Sequence, residues 1–588
     1  MRNFKQTFFL VFILTNLIST TISFSQSFYV DGGSGNDSNT GNSLASAWKT
    51  IQHAMNISSA GSTVYIKGGT YMEQLTVNVS GTSGNQIVFR NYQNDSVKVN
   101  GNNANVTLLS ITDKSFVTIQ GLIFQNTLGN GSIGITINGA SENITIKKNL
   151  IQNIRWTVSA STIPTSNDNC NPFVVYGDNA SASISNLVVD SNEIRNNING
   201  FSENLTLDGN VSGFIISHNK VHDNTNIGIL CAGHYQTSSN PATDQARNGT
   251  VSDNETYNNV SLYATSGGLY VDGGRKIIVE RNKSYGNGYG IEIGCEQVGT
   301  LDSVTVRGNI FFNNQTAGLA IGGYNYPTTG QVLKCTVSNN VLFNNDYSQS
   351  GMGEFYLSKV SNCLFENNIA FTSNQNIVLS SDYASLQSNS YNYNDYFSNS
   401  GTSAQNLIQF KFNTTNYTGF SAYQTGTSQD ANSMYADPTF VNSNIANPAT
   451  INFSLQSGSG CVDKGDPIHV IINNELDFFG NTRIINSRID IGAVEHGNIT
   501  SIQNEKGNNL FISIYPNPTK NILYLKYSEP VESFNVEIFD MRGNKIKPNQ
   551  MNDSGVGKID LSSLENGLYL MNIILNNKYQ SFKIVKIN

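Results

Sequence analysis

Charge is scarce in this sequence, since only 13% of its 588 residues are Asp, Glu, Lys or Arg and the net charge is −8. Runs of lysine and arginine are absent. This argues against a nucleic-acid partner, because such binding depends on neutralising phosphates. Disorder is disfavoured as well, because it needs high net charge and few aromatics, whereas aromatic residues make up 10% of this chain. The composition therefore predicts a folded, mildly acidic protein that does not bind nucleic acid.

Cysteines and long apolar segments are also few. Six cysteines in a chain of this length are not a disulfide scaffold, and none has the spacing of a metal site. The apolar run FFLVFILTNLI is shorter than the ~20 residues that span a bilayer, and it follows Arg2 and Lys5. That order is typical of a secretory signal peptide, which we assign to residues 1–25. We expect the mature protein to have no transmembrane segment and to lie outside the cytoplasm.

Asparagine and glycine are plentiful, and asparagine marks an internal repeat. Seven segments share one pattern: DSNEIRNN (190–197), SHNKVHDN (217–224), SDNETYNN (252–259), ERNKSYGN (280–287), RGNIFFNN (307–314), SNNVLFNN (338–345) and ENNIAFTS (366–373). Each follows a short alternating apolar stretch, and the spacing of mostly about 27 to 35 residues is typical of a solenoid. Helical periodicity is absent between the repeats, and so is the pattern of leucine-rich repeats. The repeats predict a parallel β-helix.

The repeated asparagines are expected to have a structural role. Asparagine tolerates the left-handed backbone of sharp turns. If successive coils stack, one asparagine of each repeat falls into a column whose amides can hydrogen-bond along the solenoid. The predicted column is Asn192, Asn219, Asn254, Asn282, Asn309, Asn340 and Asn368. Cys335 and Cys363 should stack in the same way, and we expect a column of thiols there rather than a disulfide.

Both ends of the long domain carry family motifs. It begins with FYVDGGSGNDSNTGNSLASAWKTIQHAMN and GSTVYIKGGTYMEQLTV, and it ends with DFFGNTRIINSRIDIGAVEHG (477–497). These stretches resemble the ends of right-handed parallel β-helix proteins of the pectate-lyase-like superfamily. The resemblance covers residues 26–497 and implies a right-handed solenoid capped by a helix at about residues 48–55. It does not fix a reaction, because the superfamily includes lyases, glycosidases, epimerases and proteins that are not enzymes.

The last segment predicts a second domain. Residues 509–588 read as short alternating strands with turn signals, which is typical of a small β-sandwich, and residues 498–508 form a linker. The motifs YPNP, MRG, ENGLYL and KIVK resemble the sorting domain of the type IX secretion system. This resemblance implies an interaction with that machinery, followed by release or attachment to the cell surface.

Aligning the repeats predicts which side chains face outward. The aligned strands are LTLDGN (205–210), ILCAGH (229–234), LYVDGG (269–274), IEIGCE (291–296), LAIGGY (319–324) and FYLSKV (355–360). Side chains alternate between the two faces of a strand, and the columns headed by Leu205 and Leu207 are apolar and face the core. The opposite face then gathers acids, phenols and an imidazole beside Ala and Gly, as a ligand-binding groove would.

Two acids on that face are predicted to be catalytic. Asp272 and Glu292 become diagonal neighbours with Cβ atoms about 8 Å apart. Paired carboxylates at such a distance suit glycoside hydrolysis, with one acting as acid and the other as base or nucleophile. We expect Asp208 and His234 to assist. The predicted sugar contacts are Tyr270, Glu296, Tyr324, Tyr235 and Arg247. The last two lie on an excursion after His234 that could form a wall of the groove.

Three functions fit these residues. The first is an exported glycoside hydrolase that acts on a polysaccharide as a monomer and needs no cofactor or metal. The second is a polysaccharide lyase, with His234 or Tyr270 as base and Ca²⁺ on Asp208 and Asp272. The third is a surface adhesin or glycan-binding β-helix without enzymatic activity. No Lys or Arg falls in the three outward columns, and this favours hydrolysis, because a lyase must neutralise a uronate carboxylate.

Overall fold

The computed structural model divides the chain into two compact units, Met1–Asn498 and Ile499–Asn588. In the first unit it describes residues 26–323, 325–381, 383, 388–472, 475–485 and 488–497. In the second it describes residues 512–515, 519–527, 535–540, 545–546, 549–553, 556–575 and 578–586. The predicted signal peptide, the predicted linker and Tyr324 lie outside the described residues. Within them, no helix has both the length and the apolar character needed to cross a membrane.

The first unit is a solenoid whose coils add strands to three long sheets in turn. The strands along sheet 1 are Ser27–Val30, Thr63–Ile66, Ile87–Asn91, Ser115–Gln120, Glu142–Lys147, Ile184–Asp190, Val211–Ser217, Arg247–Ser252, Arg275–Glu280, Thr305–Arg307, Thr336–Ser338, Leu364–Glu366 and Ser390–Asn392. Thr300–Asp302, Gln331–Leu333 and Val360–Ser361 pair beside this path. The repeats thus give the predicted parallel stacking.

Sheets 2 and 3 are built in the same way. Sheet 2 contains Gly69–Tyr71, Val97–Ala104, Leu122–Leu128, Leu150–Arg155, Glu193–Arg195, Lys220–Asn224, Glu255–Asn259, Lys283–Tyr285, Ile310–Phe312, Val341–Phe343, Ile369–Thr372 and Asp395–Ser398. Sheet 3 contains Leu75–Val77, Thr107–Thr112, Ile133–Asn138, Asn171–Gly177, Leu205–Gly209, Ile229–Ala232, Gly267–Asp272, Tyr289–Gly294, Ala317–Ile321, Phe355–Leu357, Ile377–Ser381, Gln409–Phe412 and the antiparallel Thr415–Thr418.

Inward side chains of the three sheets share one apolar core. Leu269 and Val271, for example, are 2% exposed and pair with buried apolar residues on both neighbouring coils. Stacking puts neighbouring coils ~4.8 Å apart, so each apolar side chain contacts the one above and the one below. Cys335 and Cys363 are buried free thiols, and the Cys335 N–H donates to Cys363 Sγ at 3.3 Å. The predicted column of thiols is confirmed.

The predicted asparagine column is confirmed, and a second one runs parallel to it. In the first, the N–H and Nδ2 of each asparagine donate to Oδ1 of the next, from Asn192 through to Asn368. The second column contains Asn197, Asn224, Asn259, Asn287, Asn314 and Asn345. It ends on the buried Glu354, which accepts from the N–H and Nδ2 of Asn345 at 2.9 and 2.6 Å.

Short helices close both ends of the core. The N-terminal helix is Ile51–Ile57 rather than the predicted 48–55, because Asp37 accepts the N–H groups of Lys49 and Thr50 and holds them outside the helix. At the other end the helix Phe420–Thr427, which the sequence reasoning missed, stacks Tyr423 on Phe410 with ring centroids 4.0 Å apart. Two 3-10 helices, Leu44–Ser46 and Thr402–Asn406, precede these helices.

The described parts of residues 440–497 pack on the outer sides of sheets 1 and 2, and Glu475 lies 3.5 Å from Arg307 of sheet 1. The antiparallel strands Phe440–Asn442 and Asn452–Leu455 bring Phe453 against Phe312 and Phe343. Arg483 is fully buried here, and its guanidinium lies 3.2 Å from the Glu495 carboxylate. The motif that resembles the end of a β-helix domain therefore covers part of one face of the solenoid.

The second unit contains two four-stranded antiparallel sheets. One contains Ile512–Tyr515, Ile522–Tyr527, Val556–Asp560 and Asn549–Asp553, and the other contains Lys545–Ile546, Asn535–Asp540, Gly567–Leu575 and Lys578–Lys586. Leu523, Ile538, Ile559 and Met571 belong to one buried cluster that takes residues from both sheets. This is the arrangement of the predicted β-sandwich.

Candidate functional site

The outward face of sheet 3 has the register that the repeats predicted. Tyr270 lies between Leu230 and Glu292 on neighbouring coils, and Asp272 lies between Ala232 and Gly294. Asp272 and Glu292 are therefore diagonal neighbours, as predicted. Alternation along each strand explains this placement, because the neighbouring apolar residues Val271 and Ile293 point into the core.

Beside these strands lies an open cleft of about 470 Å³. Its floor is made of small residues, and its walls are largely aromatic. The lining residues are Tyr270, Tyr289, Glu292, Ile293, Gly294, Cys295, Glu296, Gln297, Ala320, Ile321, Gly322, Thr329, Met352, Tyr356 and Ser358. A Cβ at position 294 would lie 2.7 Å from the Tyr270 hydroxyl, so a larger residue there would push the Tyr270 ring aside. The cleft has the size and the mixed polar and apolar lining of a small-ligand site.

Glu292 is the carboxylate with the fewest protein partners in the cleft. It is half-buried, and no other described residue donates a hydrogen bond to it. Burial raises its pKa to about 8, and the negative charges of Glu296 and Asp272 act in the same direction. A carboxyl group with this pKa is protonated at neutral pH and can donate a proton to a ligand.

Glu296 follows the strand Tyr289–Gly294, which contains Glu292, and lies in a different environment. Its side chain is exposed, and its Oε1 accepts a hydrogen bond from the Tyr270 hydroxyl at 3.1 Å. Its Oε2 lies 3.3 Å from the Tyr235 hydroxyl, whose proton is donated to Asp272. Burial and the surrounding acids raise the pKa of both phenols, so both remain protonated donors.

Asp272 lies behind the cleft rather than in its lining. It is 1% exposed, its Oδ1 accepts the Glu296 N–H at 2.8 Å, and its Oδ2 accepts from the Tyr235 hydroxyl. Burial, with Glu296 as the second cause, raises its pKa to about 7. The predicted pair is thus adjacent, but Glu296 takes the place in the cleft that the sequence reasoning gave to Asp272.

Two further acids lie on the side of Asp272 away from the cleft. Asp208 is 8% exposed and accepts from the Thr237 hydroxyl through Oδ2, and no described residue donates to its Oδ1. Glu203, which the sequence reasoning missed, accepts from the Thr206 hydroxyl at 3.1 Å. Burial raises its pKa to about 8, and the charges of Glu296 and Asp208 add to this. Glu203 precedes its strand, so an alignment of strands could not place it.

The outward position predicted for His234, at the end of the aligned segment 229–234, is not observed. The strand Ile229–Ala232 ends before His234, which has φ 71° and turns its Nε2 toward the backbone of Thr300, 3.3 Å from both N and O. Arg247 donates to the carbonyls of Thr243 and Gln245 and to Asn210 Oδ1. Neither residue lines the cleft. Both side chains instead bind backbone and side-chain groups of neighbouring loops, so the prediction that they face the groove is wrong.

Aromatic side chains complete the walls of the cleft. Tyr356 occupies the outward column that the alignment predicted, beside Ala320 on the next coil. Tyr289 was not predicted, because it lies at the beginning of its strand where the alternation is interrupted, and its hydroxyl donates to Met352 Sδ at 3.7 Å. Tyr289 and Tyr356 line the cleft together with Tyr270.

A calcium site was expected only for the lyase alternative. Ca²⁺ takes six to eight oxygen ligands. Asp208 and Asp272, the predicted ligands, lie on strands separated by Ile229–Ala232, and they accept hydrogen bonds from Thr237 and Tyr235. In the described part of the chain, no group of three or more His, Cys, Asp or Glu side chains could hold a metal ion. These residues do not fit a calcium ion.

Two family models match the chain. A right-handed β-helix region matches residues 156–342, and a secretion system C-terminal sorting domain matches residues 513–588. The first match confirms the predicted right-handed solenoid. The second confirms the predicted sorting domain of the type IX secretion system, which directs the protein out of the cell, to the surface or the medium.

The chain is also similar to a protein of Bacillus subtilis and to solved structures. The uncharacterized protein YwoF of Bacillus subtilis (strain 168) is 31% identical over 443 residues, which cover 72% of this chain and 90% of YwoF. Pectate lyase Pel9A is 14% identical with a TM-score of 0.41, over 81% of this chain and 97% of that one. The GH136 lacto-N-biosidase from Eubacterium ramulus is 12% identical with a TM-score of 0.38, over 63% and 64%. At these TM-scores, the two solved structures carry no argument about activity.

Proposed function

The chain belongs to the same family as YwoF, and on this β-helix we propose that it is an exported glycoside hydrolase that cleaves a polysaccharide in the cleft on sheet 3. One observation supports this most strongly. Two carboxylates in different environments, Glu292 and Glu296, share an open cleft that is walled by three tyrosines. Glycosidases use such a pair, one group as acid and one as base or nucleophile.

Glu292 is the proposed general acid. Its raised pKa keeps the proton on the carboxyl at neutral pH, and the absence of a described donor leaves its oxygens free to meet the substrate. In the reaction it would transfer this proton to the glycosidic oxygen as the bond from that oxygen to the anomeric carbon breaks. The leaving sugar then departs as an alcohol, and Glu292 is left ionised.

Glu296 is the proposed base. Its exposed carboxylate accepts from the Tyr270 hydroxyl and would take a proton from a water whose oxygen bonds to the anomeric carbon. The sum is one water consumed and one glycosidic bond cleaved. Asp272 is a positioning residue in this scheme, because it holds the Glu296 N–H with one oxygen and the Tyr235 hydroxyl with the other.

The charge of the cleft supports hydrolysis of an uncharged glycan over elimination on a uronate. A lyase must neutralise the uronate carboxylate, and none of the described residues that line the cleft is a lysine or arginine.

The test is to incubate the full-length protein with neutral, uronic and sulfated polysaccharides and to follow reducing ends and ultraviolet absorbance. We expect reducing ends from a neutral polymer without an unsaturated product. Glu292→Gln and Glu296→Gln should each lower the rate about 10²- to 10⁴-fold, the usual contribution of an acid or base. Glu142→Gln, an exposed acid on sheet 1, is the matched control and should leave the rate unchanged.

Other outcomes point to the other functions. An unsaturated product from a uronic polymer would establish a lyase, and binding without any product would favour a glycan-binding β-helix. Full activity in both cleft variants would show that the site lies elsewhere.

A further inference from the structure

We propose that the cleft is closed at one end and takes the end of a glycan chain, so that cleavage proceeds from a chain terminus. This inference rests on the proposed hydrolase function and concerns the same site. It is carried by the position of the acids along the cleft and by the loop of residues 233–246, here called the excursion loop.

The two acids lie near one end of the cleft. Its lining begins on the coil of Tyr270, passes the coils of Glu292 and Ala320 and reaches Tyr356. Three steps of ~4.8 Å give a length of about 14 Å. Glu296 is bonded to Tyr270, the first residue of this series, so the reacting groups belong to the Tyr270 end. Most of the cleft extends from there toward Tyr356.

Protein fills the groove beyond the Tyr270 end. Leu230, Ala232 and Tyr270 point outward on sheet 3, yet they are only 6%, 2% and 5% exposed and form a small apolar cluster with Ile227. Outward residues on a solenoid are buried only when another segment covers them. A glycan therefore cannot continue along this face over the coil Ile229–Ala232.

The excursion loop forms the wall at this end. The Tyr235 side chain reaches from the loop to Asp272 and Glu296, and Thr237 bonds Asp208. The loop is thus attached to acids on three different coils. Tyr235 itself is 39% exposed, which fits a residue at the rim of the closed end.

Internal bonds fix the shape of this wall. The buried Asp244 carboxylate accepts the N–H groups of Gln236 at 2.7 Å and Ser238 at 2.8 Å. The Gln245 side chain donates to the Gly273 carbonyl at 2.9 Å, and Arg247 donates to the Thr243 carbonyl. The wall is therefore a built part of the fold, and a sugar chain must end where the wall begins.

The first experiment uses the native full-length protein and a soluble neutral polysaccharide that it cleaves in the panel above. Short products should appear from the earliest time points while the remaining polymer keeps its mean chain length. Oligosaccharides of the same sugar, blocked at one end or the other with a bulky label, should differ, with one form cleaved at least about tenfold more slowly because the label cannot fit against packed side chains.

The second experiment tests the wall. Tyr235→Ala should shift the products toward internal cleavage, with an early fall in mean chain length. Tyr235→Phe keeps the ring in the wall but loses the bond to Asp272, so it should shift the products less than Tyr235→Ala. Thr237→Val, which detaches the loop from Asp208, should shift the products in the same direction as Tyr235→Ala. Melting temperatures show whether each variant is folded.

The outcomes separate the two proposals. A rapid early fall in mean chain length with the native protein, or equal cleavage of both blocked forms, would overturn binding of chain ends while the hydrolase function stands. An unchanged pattern of short products in both folded wall variants would overturn the role of the loop. If no polymer is cleaved at all, the hydrolase function and this inference fall together.

Discussion

At the scale of single residues, the site separates two carboxylates that are close in sequence. Glu292 sits half-buried without a donor beside negative neighbours, and its pKa rises to about 8. Glu296 reaches the exposed rim, where the Tyr270 hydroxyl donates to it and the Tyr235 hydroxyl lies 3.3 Å away. An acid–base pair needs two carboxyl groups in different environments. The phenols are kept protonated by the same burial and the same acids.

A pH profile tests this assignment. If Glu292 must be protonated, kcat/KM should fall as the pH rises through about 8. The charge of Asp272 helps to raise the Glu292 pKa, so Asp272→Asn should move this high-pH limb to lower pH. The measurement is kcat/KM against pH for both proteins, with Glu142→Gln as a control that leaves the limb in place. A limb that does not move in Asp272→Asn would contradict the proposed coupling.

At the scale of elements, the asparagine columns hold the coils in register. Each side chain donates to a backbone carbonyl of the preceding coil and to the side-chain oxygen of the asparagine on the following coil, and all of these groups are buried. This chain of side-chain hydrogen bonds forms because stacked coils place equivalent asparagines ~4.8 Å apart. The register of the columns fixes that of the strands on sheet 3, and so it aligns the acids.

Asn282→Ala should therefore be strongly destabilising. It removes the acceptor for the Asn254 N–H and Nδ2 and the donor to the Val251 carbonyl, all in the buried interior. Unsatisfied buried groups cost about 1–3 kcal/mol each, so we expect a loss of about 3 kcal/mol or more in the free energy of unfolding. Urea unfolding measures this. Asn447→Ala, at an exposed position, should change stability by less than about 0.5 kcal/mol, and an equal effect of both would refute the argument.

Glu354 at the end of the second column should make stability depend on pH. Burial raises its pKa to about 8 from 4.5, against the opposing effect of the Asn345 bonds. The folded chain then retains a proton that the unfolded chain loses, so this contribution to stability is complete below about pH 4.5 and is lost as the pH rises to about 8. Glu354→Gln should reduce the fall in stability between those values. An identical pH dependence of unfolding in both proteins would contradict this.

At the scale of the whole molecule, the chain joins a solenoid to an export signal. The sorting domain, not the site, decides where the protein acts. Removal of residues 513–588 should abolish export in a bacterium that has a type IX system and leave the β-helix in the cell. Immunoblots of cell and culture fractions measure this, and a single alanine substitution at the exposed Leu570 provides an exported control. Export of the truncated protein would show that another signal is sufficient.

Much of the site could be predicted because, in a solenoid, residues at the same position of successive repeats become neighbours. Leu230, Tyr270 and Glu292 were aligned by their repeats, and the structure pairs them in that order. Alignment fails wherever the chain leaves the strands. His234 has a left-handed backbone and turns toward Thr300, and Glu203 enters the acid cluster from a turn, so neither position follows from alternation.

The sequence by itself determined the solenoid, the asparagine column, the sorting domain and the outward face that carries the acids, because each follows from local periodicity repeated coil after coil. Only the tertiary structure decided that Glu296 rather than Asp272 lines the cleft, and that the excursion loop closes one end of it. Those outcomes depend on where Tyr235 and its loop fold across neighbouring coils. Such contacts join segments that follow no repeat, so no sequence period could reveal them.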